Sequence, residues 1–141
     1  MSELAKAKRC AKKMWAGDAA SRALGMTIEI RAVGSATAQM KVRDDMVNGF
    51  DICHGGLLFA LADTAFAFAC NAYDRMTFAA SGQIEFLRPV VLGDTLRAIA
   101  TEEYSGRNNG FYTVRIDNQN DDTVALFRGR SVSRNEPVLT D

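Results

Sequence analysis

Asn48 to Asp74 reads NGFDICHGGLLFALADTAFAFACNAYD, and the fold turns on how this stretch is interpreted. A polar, turn-forming entry (Asn48-Gly49, then Cys53-His54-Gly55-Gly56) runs straight into an apolar segment, Leu57 to Ala72, whose one acid is Asp63. A bilayer span needs about 20 apolar residues, so this segment is too short and too polar at its ends. Apolar residues fall on every side of it, which excludes a surface helix with one wet face. The stretch therefore predicts a helix wrapped by other elements, a sheet first among them. A carboxylate inside such a helix has to be explained by a partner or by a task.

Upstream, Met1 to Ala16 predicts a short amphipathic helix with Leu4, Ala7, Ala11, Met14 and Trp15 near one stripe. Its basic residues, Lys6, Lys8, Arg9, Lys12 and Lys13, read first as a solvated face. Asp18 or Ser21 caps a second short turn before Gly25. Met26 to Arg31 and Ala36 to Arg43 form a strand pair turning at Val33-Gly34-Ser35, with Ala38, Met40 and Val42 alternating against polar residues. Downstream the chain turns β-rich, with strands at Thr77 to Arg88, Thr95 to Tyr104, Phe111 to Asn118 and Thr123 to Ser133. Asn109-Gly110 is a hairpin turn signal. Tyr112, Val114 and Ile116 alternate with Thr113, Arg115 and Asp117, so one face is buried and the other at least partly wet. The last residues, Asn135 to Asp141, read as a loose tail. One strand pair, one buried helix and four strands predict an α+β class: a curved antiparallel sheet around a central helix, in one domain whose core is 25–134.

The totals bound the function. A chain of 141 residues suffices for one domain, and its 17 basic and 17 acidic residues cancel. No global field draws it to nucleic acid or to a membrane surface. Met1 to Trp15 lacks the apolar core of a secretory signal. Cys10, Cys53 and Cys70 show no CxxC spacing, which argues against a disulfide framework or a zinc site and fits a reducing cytoplasm. With a single His, no metal site is expected.

Gly55 and Gly56 stand where the helix begins, among free N–H groups at the positive end of its dipole. A ligand oxygen can approach a glycine backbone closely, which suits a carbonyl becoming an oxyanion; close helix–sheet packing is the competing explanation. Asp63 is the second candidate, as general base on water or as direct nucleophile, against the alternative of a structural acid at an interface. Eight residues separate them, about 12 Å along a helix, so they cannot both touch one carbonyl in one subunit. If both are catalytic, a two-fold homodimer must set Asp63 of one chain beside Gly55 of the other. Asn48 reads first as a turn residue whose amide could instead hold a water. Ser81, in Ala79-Ala80-Ser81-Gly82, could donate to a bound group, with the small residues around it leaving room for a narrow ligand. Cys53-His54 lacks an orienting third group, and His54 is expected to fix the turn by a local hydrogen bond.

Asn48-Gly49, His54-Gly55-Gly56, Asp63, Ser81-Gly82 and Phe86-Leu87-Arg88-Pro89 together resemble the hotdog-fold acyl-CoA thioesterases, most closely the phenylacetic-acid-degradation type, over roughly Gly25 to Arg134. The resemblance implies a sheet wrapped around a central helix, with subunits paired into a continuous sheet and two dimers assembled as a homotetramer. It implies that the Gly55 N–H polarises the thioester carbonyl and that Asp63 comes from the partner subunit. The positions of Asn48 and Ser81 assist with substrate and water, and His54 shapes the oxyanion turn. Gly56, Gly82, Arg88 and Arg107 are taken as substrate-binding, with Arg134 a further candidate for CoA phosphate. CoA enters as part of the substrate, and no separate cofactor is implied. Phenylacetyl-CoA or a hydroxylated aryl derivative is the implied substrate, and Phe50, Phe59 and Phe66 are candidates to line an acyl pocket. Two alternatives keep the fold: a non-catalytic acyl-CoA sensor, and a hydratase. Related hydratases carry a His five residues after the Asp, where this chain has Phe68.

Overall fold

The chain begins with a helix because Ser2 caps it: its hydroxyl accepts from Ala5 N at 3.0 Å, and α1 runs Glu3–Gly17. Asp18 ends α1 and starts α2 (Ala19–Ala23), where its carboxylate accepts from Ser21 N at 3.0 Å and Ser21 Oγ at 2.8 Å. Six strands follow: β1 Thr27–Glu29, β2 Ser35–Lys41, β3 Thr77–Phe86, β4 Thr95–Ser105, β5 Asn109–Asp117 and β6 Thr123–Ser133. The long helix α3, Gly55–Cys70, lies between β2 and β3 in sequence. This computed structural model describes residues 1–140.

All strand pairs are antiparallel and make one sheet in the order β1-β2-β4-β5-β6-β3. The helix lies across that sheet, touching β2 to β6. Alternation in the strands decides the packing: Ala36, Ala38 and Met40 of β2, Leu96, Ala98 and Ala100 of β4, and Tyr112, Val114 and Ile116 of β5 are all buried. Against them α3 buries Leu58, Leu61, Ala62, Ala65, Phe66 and Ala69. Phe66 is 0% exposed, and its burial alone contributes about 1.5–3 kcal/mol. The other flank of α3 is covered by α1 and α2. Trp15 packs on Phe68 at 6.3 Å between ring centroids, and the Ser21 and Thr64 hydroxyls lie 3.3 Å apart. The all-round apolar pattern of α3 thus comes from a sheet on one side and two short helices on another.

The helix starts at Gly55, where the glycine pair places it, with His54 as its cap. Three local expectations give way. Asn109 and Gly110 are the first residues of β5, not the centre of the turn. Ser105 pairs with Gly110, and Gly106 N donates to Asn109 O at 2.7 Å. Pairing of Asn109 with Val132 and Gly110 with Ser131 draws both into the β6 ladder. Asp117, expected on the wetter face, is buried because its carboxylate accepts from Arg115 Nε at 3.0 Å and Thr123 Oγ1 at 2.9 Å. Residues expected in a loose tail are tied down instead: Asp74 Oδ1 accepts from Val138 N at 3.0 Å and Leu139 N at 2.8 Å, and Glu136 O accepts from Met76 N at 2.8 Å.

Strand β3 is an outer strand of the sheet. From Phe78 to Phe86 every residue except Ile84 is exposed, and Ile84 is half-buried. A ten-residue strand with an unpaired, largely exposed edge is a ready template for another chain.

Candidate active site

The N-terminus of α3 is built by the loop before it. Asn48 folds this loop on itself: its Oδ1 accepts from Phe50 N at 2.9 Å and Ile52 N at 3.4 Å, while its backbone N donates to Ile52 O at 2.8 Å. Asp51 takes a positive φ of 60° to close that turn. Cys53 N then donates to Val90 O at 2.7 Å and His54 N to Met46 O at 2.8 Å, which fixes where the helix begins.

His54 is the N-cap. Its Nδ1 accepts from Gly56 N at 2.9 Å, so that nitrogen carries no proton and the ring proton lies on Nε2. Gly55, the first helical residue, is left with a different fate. Among the described residues its N–H donates to none, and it opens onto a cleft of about 360 Å³. Asn48, Ile52, Cys53, Leu58, Phe86 and Val90 line that cleft, with Arg88 at its rim. A free N–H at the positive end of a 16-residue helix is a site for a polarised carbonyl oxygen.

Gly55 is also glycine for a packing reason. A Cβ there would lie 3.0 Å from Cζ of Phe86 and 3.3 Å from Cε1. Gly82 has a similar role: a Cβ would lie 3.0 Å from Phe127 and 3.1 Å from Phe59. Gly82, expected to bind substrate, thus stands at a close sheet–helix contact.

Asp63 lies two turns along α3, about 12 Å from Gly55. It follows Phe59 by one turn and so shares its stripe, which faces β3 at Gly82. The carboxylate is half-buried, and it makes no hydrogen bond or ion pair among the described residues. Burial raises its pKa above the ordinary carboxylate value. A half-desolvated acid with a raised pKa is a stronger base than a free one.

One chain does not bring every candidate together. Ser81 pairs with Arg130 just past a bulge at Ala80, next to Gly82, which faces α3; alternation sends the Ser81 side chain to the far face of the sheet. It is not beside Gly55 or Asp63. Arg88 flanks the cleft but already holds Asp122 at 2.9 Å. Arg107 lies in the β4–β5 loop, where its carbonyl accepts from Arg75 Nη1 at 2.7 Å, beyond the C-terminal end of α3. The two arginines stand at opposite ends of the helix. Arg134 lies over Phe78, 5.5 Å from the ring centroid. Cys53 is buried, with a thiol pushed up by burial and then by the Asp94 charge, which removes it as a nucleophile.

The aromatic candidates also sort differently. Phe66 is core, packed on Tyr112 and Phe127; Phe59 meets Phe127 edge-on at 5.3 Å; Phe50 is 85% exposed on the loop. The ring in the cleft is Phe86, which sequence reasoning did not assign there. Its period-two spacing from Gly82 and Ile84 was the available signal.

The chain and its fold are similar to known proteins. A model of the thioesterase superfamily matches residues 50–125. Acyl-coenzyme A thioesterase PaaI of Escherichia coli is 47% identical over 126 residues, covering 89% of this chain and 90% of that protein. The solved structure of the E. coli PaaI protein from the phenylacetic acid degradation operon superposes with a TM-score of 0.94 at 44% identity, over 96% of this chain and 99% of that one. A mutant of the phenylacetic acid degradation protein PaaI from Thermus thermophilus gives 0.75 at 34% identity, over 79% and 95%. With a helix-wrapping antiparallel sheet, a free glycine N–H at the helix start and an acid two turns on, the chain belongs to the thioesterase superfamily, as a hotdog-fold acyl-CoA thioesterase of the PaaI type.

Proposed function

We propose that this protein hydrolyses acyl-CoA thioesters to free acid and CoA, with phenylacetyl-CoA or a hydroxylated aryl-acyl-CoA as substrate, in a site shared between two copies of the chain. The observation that carries this reading is the unengaged Gly55 N–H, held at an apolar cleft by its His54 cap. The thioester oxygen accepts from it and gains negative charge as the carbonyl carbon is attacked. Asp63 of the second copy either takes a proton from the attacking water or attacks the carbonyl itself; both routes end in cleavage of the C–S bond. The thiolate leaves and is protonated to CoA; on the first route the acyl carbon keeps the oxygen of the water, and on the second a water then cleaves the acyl–Asp63 anhydride to free acid and restored carboxylate. The amide nitrogen of Asn48 stays available to a water, because the loop uses its oxygen. Phe68, where a hydratase would place a His, is 3% exposed and packed on Trp15.

Two features support the second copy. β3 has an unpaired edge, and Asp63 lies on the helix stripe facing that strand. From Gly55 toward Phe59, α3 runs past β3 from Phe86 toward Gly82, so helix and strand are antiparallel. Antiparallel pairing of β3 with a second β3 therefore runs the two α3 helices antiparallel, as a shared site needs. Exposed Phe50, Leu87, Val91 and Leu92 supply apolar surface for such an interface. Assembly of two such dimers into a tetramer is the corresponding expectation for the whole particle.

The test is thiol release from phenylacetyl-CoA by wild type and Asp63→Asn, with binding followed in parallel. A loss of about a hundred- to ten-thousandfold in kcat with binding retained is expected. An unchanged rate removes Asp63 from the mechanism, and wild-type binding without turnover identifies a sensor. A monomer in solution that still cleaves the thioester removes the shared site.

A further inference from the structure

The geometry points to Phe86 as the residue that selects the acyl group, by forming the aromatic wall of the cleft beside the Gly55 N–H. This deepens the thioesterase reading and rests on it. Phe86 ends β3 on the face toward α3, opposite Ala125. Two residues earlier, Ile84 reaches the core on the same face. Phe86 lies past the start of the helix, so its ring stands over Gly55, with Cζ 3.0 Å from where a Cβ would be. It remains 54% exposed while lining the cleft, which leaves a ring face free for a ligand.

A carbonyl oxygen bound at the Gly55 N–H sits about 2.9 Å from that nitrogen, which brings the carbonyl's substituents within van der Waals reach of the ring. The two substituents differ in chemistry. The deep wall is Leu58, Cys53 and Val90, all at most 5% exposed, whereas Asn48 and Arg88 flank the mouth. The apolar acyl group goes inward against Phe86, and the sulfur with its polar CoA arm goes outward. A flat aryl group on a short linker meets the ring by offset or edge contact. A long flexible chain gains no such contact and must fit a cleft of about 360 Å³.

Phe86→Ala and Phe86→Leu are compared with wild type by thiol release from phenylacetyl-, butyryl-, octanoyl- and lauroyl-CoA. Phe86→Ala is expected to raise KM for phenylacetyl-CoA about tenfold with kcat nearly unchanged, the loss of one aromatic contact. KM for octanoyl- and lauroyl-CoA holds or falls, so the aryl-to-alkyl ratio of kcat/KM drops. Phe86→Leu keeps an apolar side chain on the strand end and shifts the ratio in the same direction by less. A wild type active on these substrates whose aryl-to-alkyl ratio survives both substitutions overturns this inference alone. Equal losses across all four substrates do so too, since they mark a structural role. A wild type that releases thiol from none of them removes the thioesterase reading, and this inference with it.

Discussion

The two ends of α3 are treated in opposite ways. At the C-terminal end Asn71, 5% exposed, closes the structure: its Nδ2 donates to Ala67 O at 2.9 Å and Thr77 O at 3.0 Å, and its Oδ1 accepts from Thr77 N at 2.9 Å. The thiol of Cys70 beside it is pushed up to about 12 by burial. At the N-terminal end one N–H is satisfied by His54, and the next earlier one, on Gly55, is left for something outside the chain. A helix leaves orphan polar groups at both ends, and stability favours satisfying all of them. The satisfied end belongs to the core and the unsatisfied end opens onto a cleft, which is the contrast the proposed function uses.

The largest test of that contrast removes the orphan donor without removing the helix. Gly55 is the first helical residue, where proline is tolerated, and His54 already has an extended ψ of 130° that proline demands of its predecessor. Made in a Phe86→Ala background to give the ring room, Gly55→Pro is expected to lower kcat about a hundred- to a thousandfold relative to Phe86→Ala alone. Its circular dichroism should match the parent. Activity equal to the parent would break the assignment of this N–H as the carbonyl donor.

At the other end the effect should be on stability alone. Asn71→Ala leaves the Thr77 N–H buried without its acceptor, at a cost of about 1–3 kcal/mol in urea unfolding. The kcat of the folded fraction should stay at the wild-type value. If it falls in step with stability, the two ends are not separable.

The smallest effect concerns Asp63, between the ends. Burial raises its folded-state pKa above its unfolded value. Such a group holds its full contribution to stability below the unfolded pKa of about 3.9 and loses it as pH rises through the raised folded value. Asp63→Asn should therefore melt above wild type at pH 7, with the gap narrowing toward about pH 4. The same ionisation gives wild-type kcat/KM an acid limb lying above the ordinary carboxylate range. A variant that melts lower than wild type at pH 7 would show that donors, rather than burial, set this carboxylate.

Much of this was legible in the residues themselves. Alternation in β2 and β5 reports which side of a strand is buried, because side chains alternate sides whatever the strand's neighbours. The glycine entry and all-round apolar content of α3 likewise announce a covered helix with an accessible start. The spacing of Gly55 and Asp63 sets their separation, since a helix has a fixed rise, and so implies a second copy if both act. Other features depend on contacts between segments distant in sequence. A bulge at Ala80 turns Ser81 away from α3, and strand order leaves β3 at the edge. Asp74 captures the backbone of Val138 and Leu139 some sixty residues on, a contact with no local signature. Of the eight phenylalanines, the one that stands in the cleft is chosen by where β3 ends against the first turn of α3. Local periodicity determines which face a residue takes; long-range register decides what that face meets.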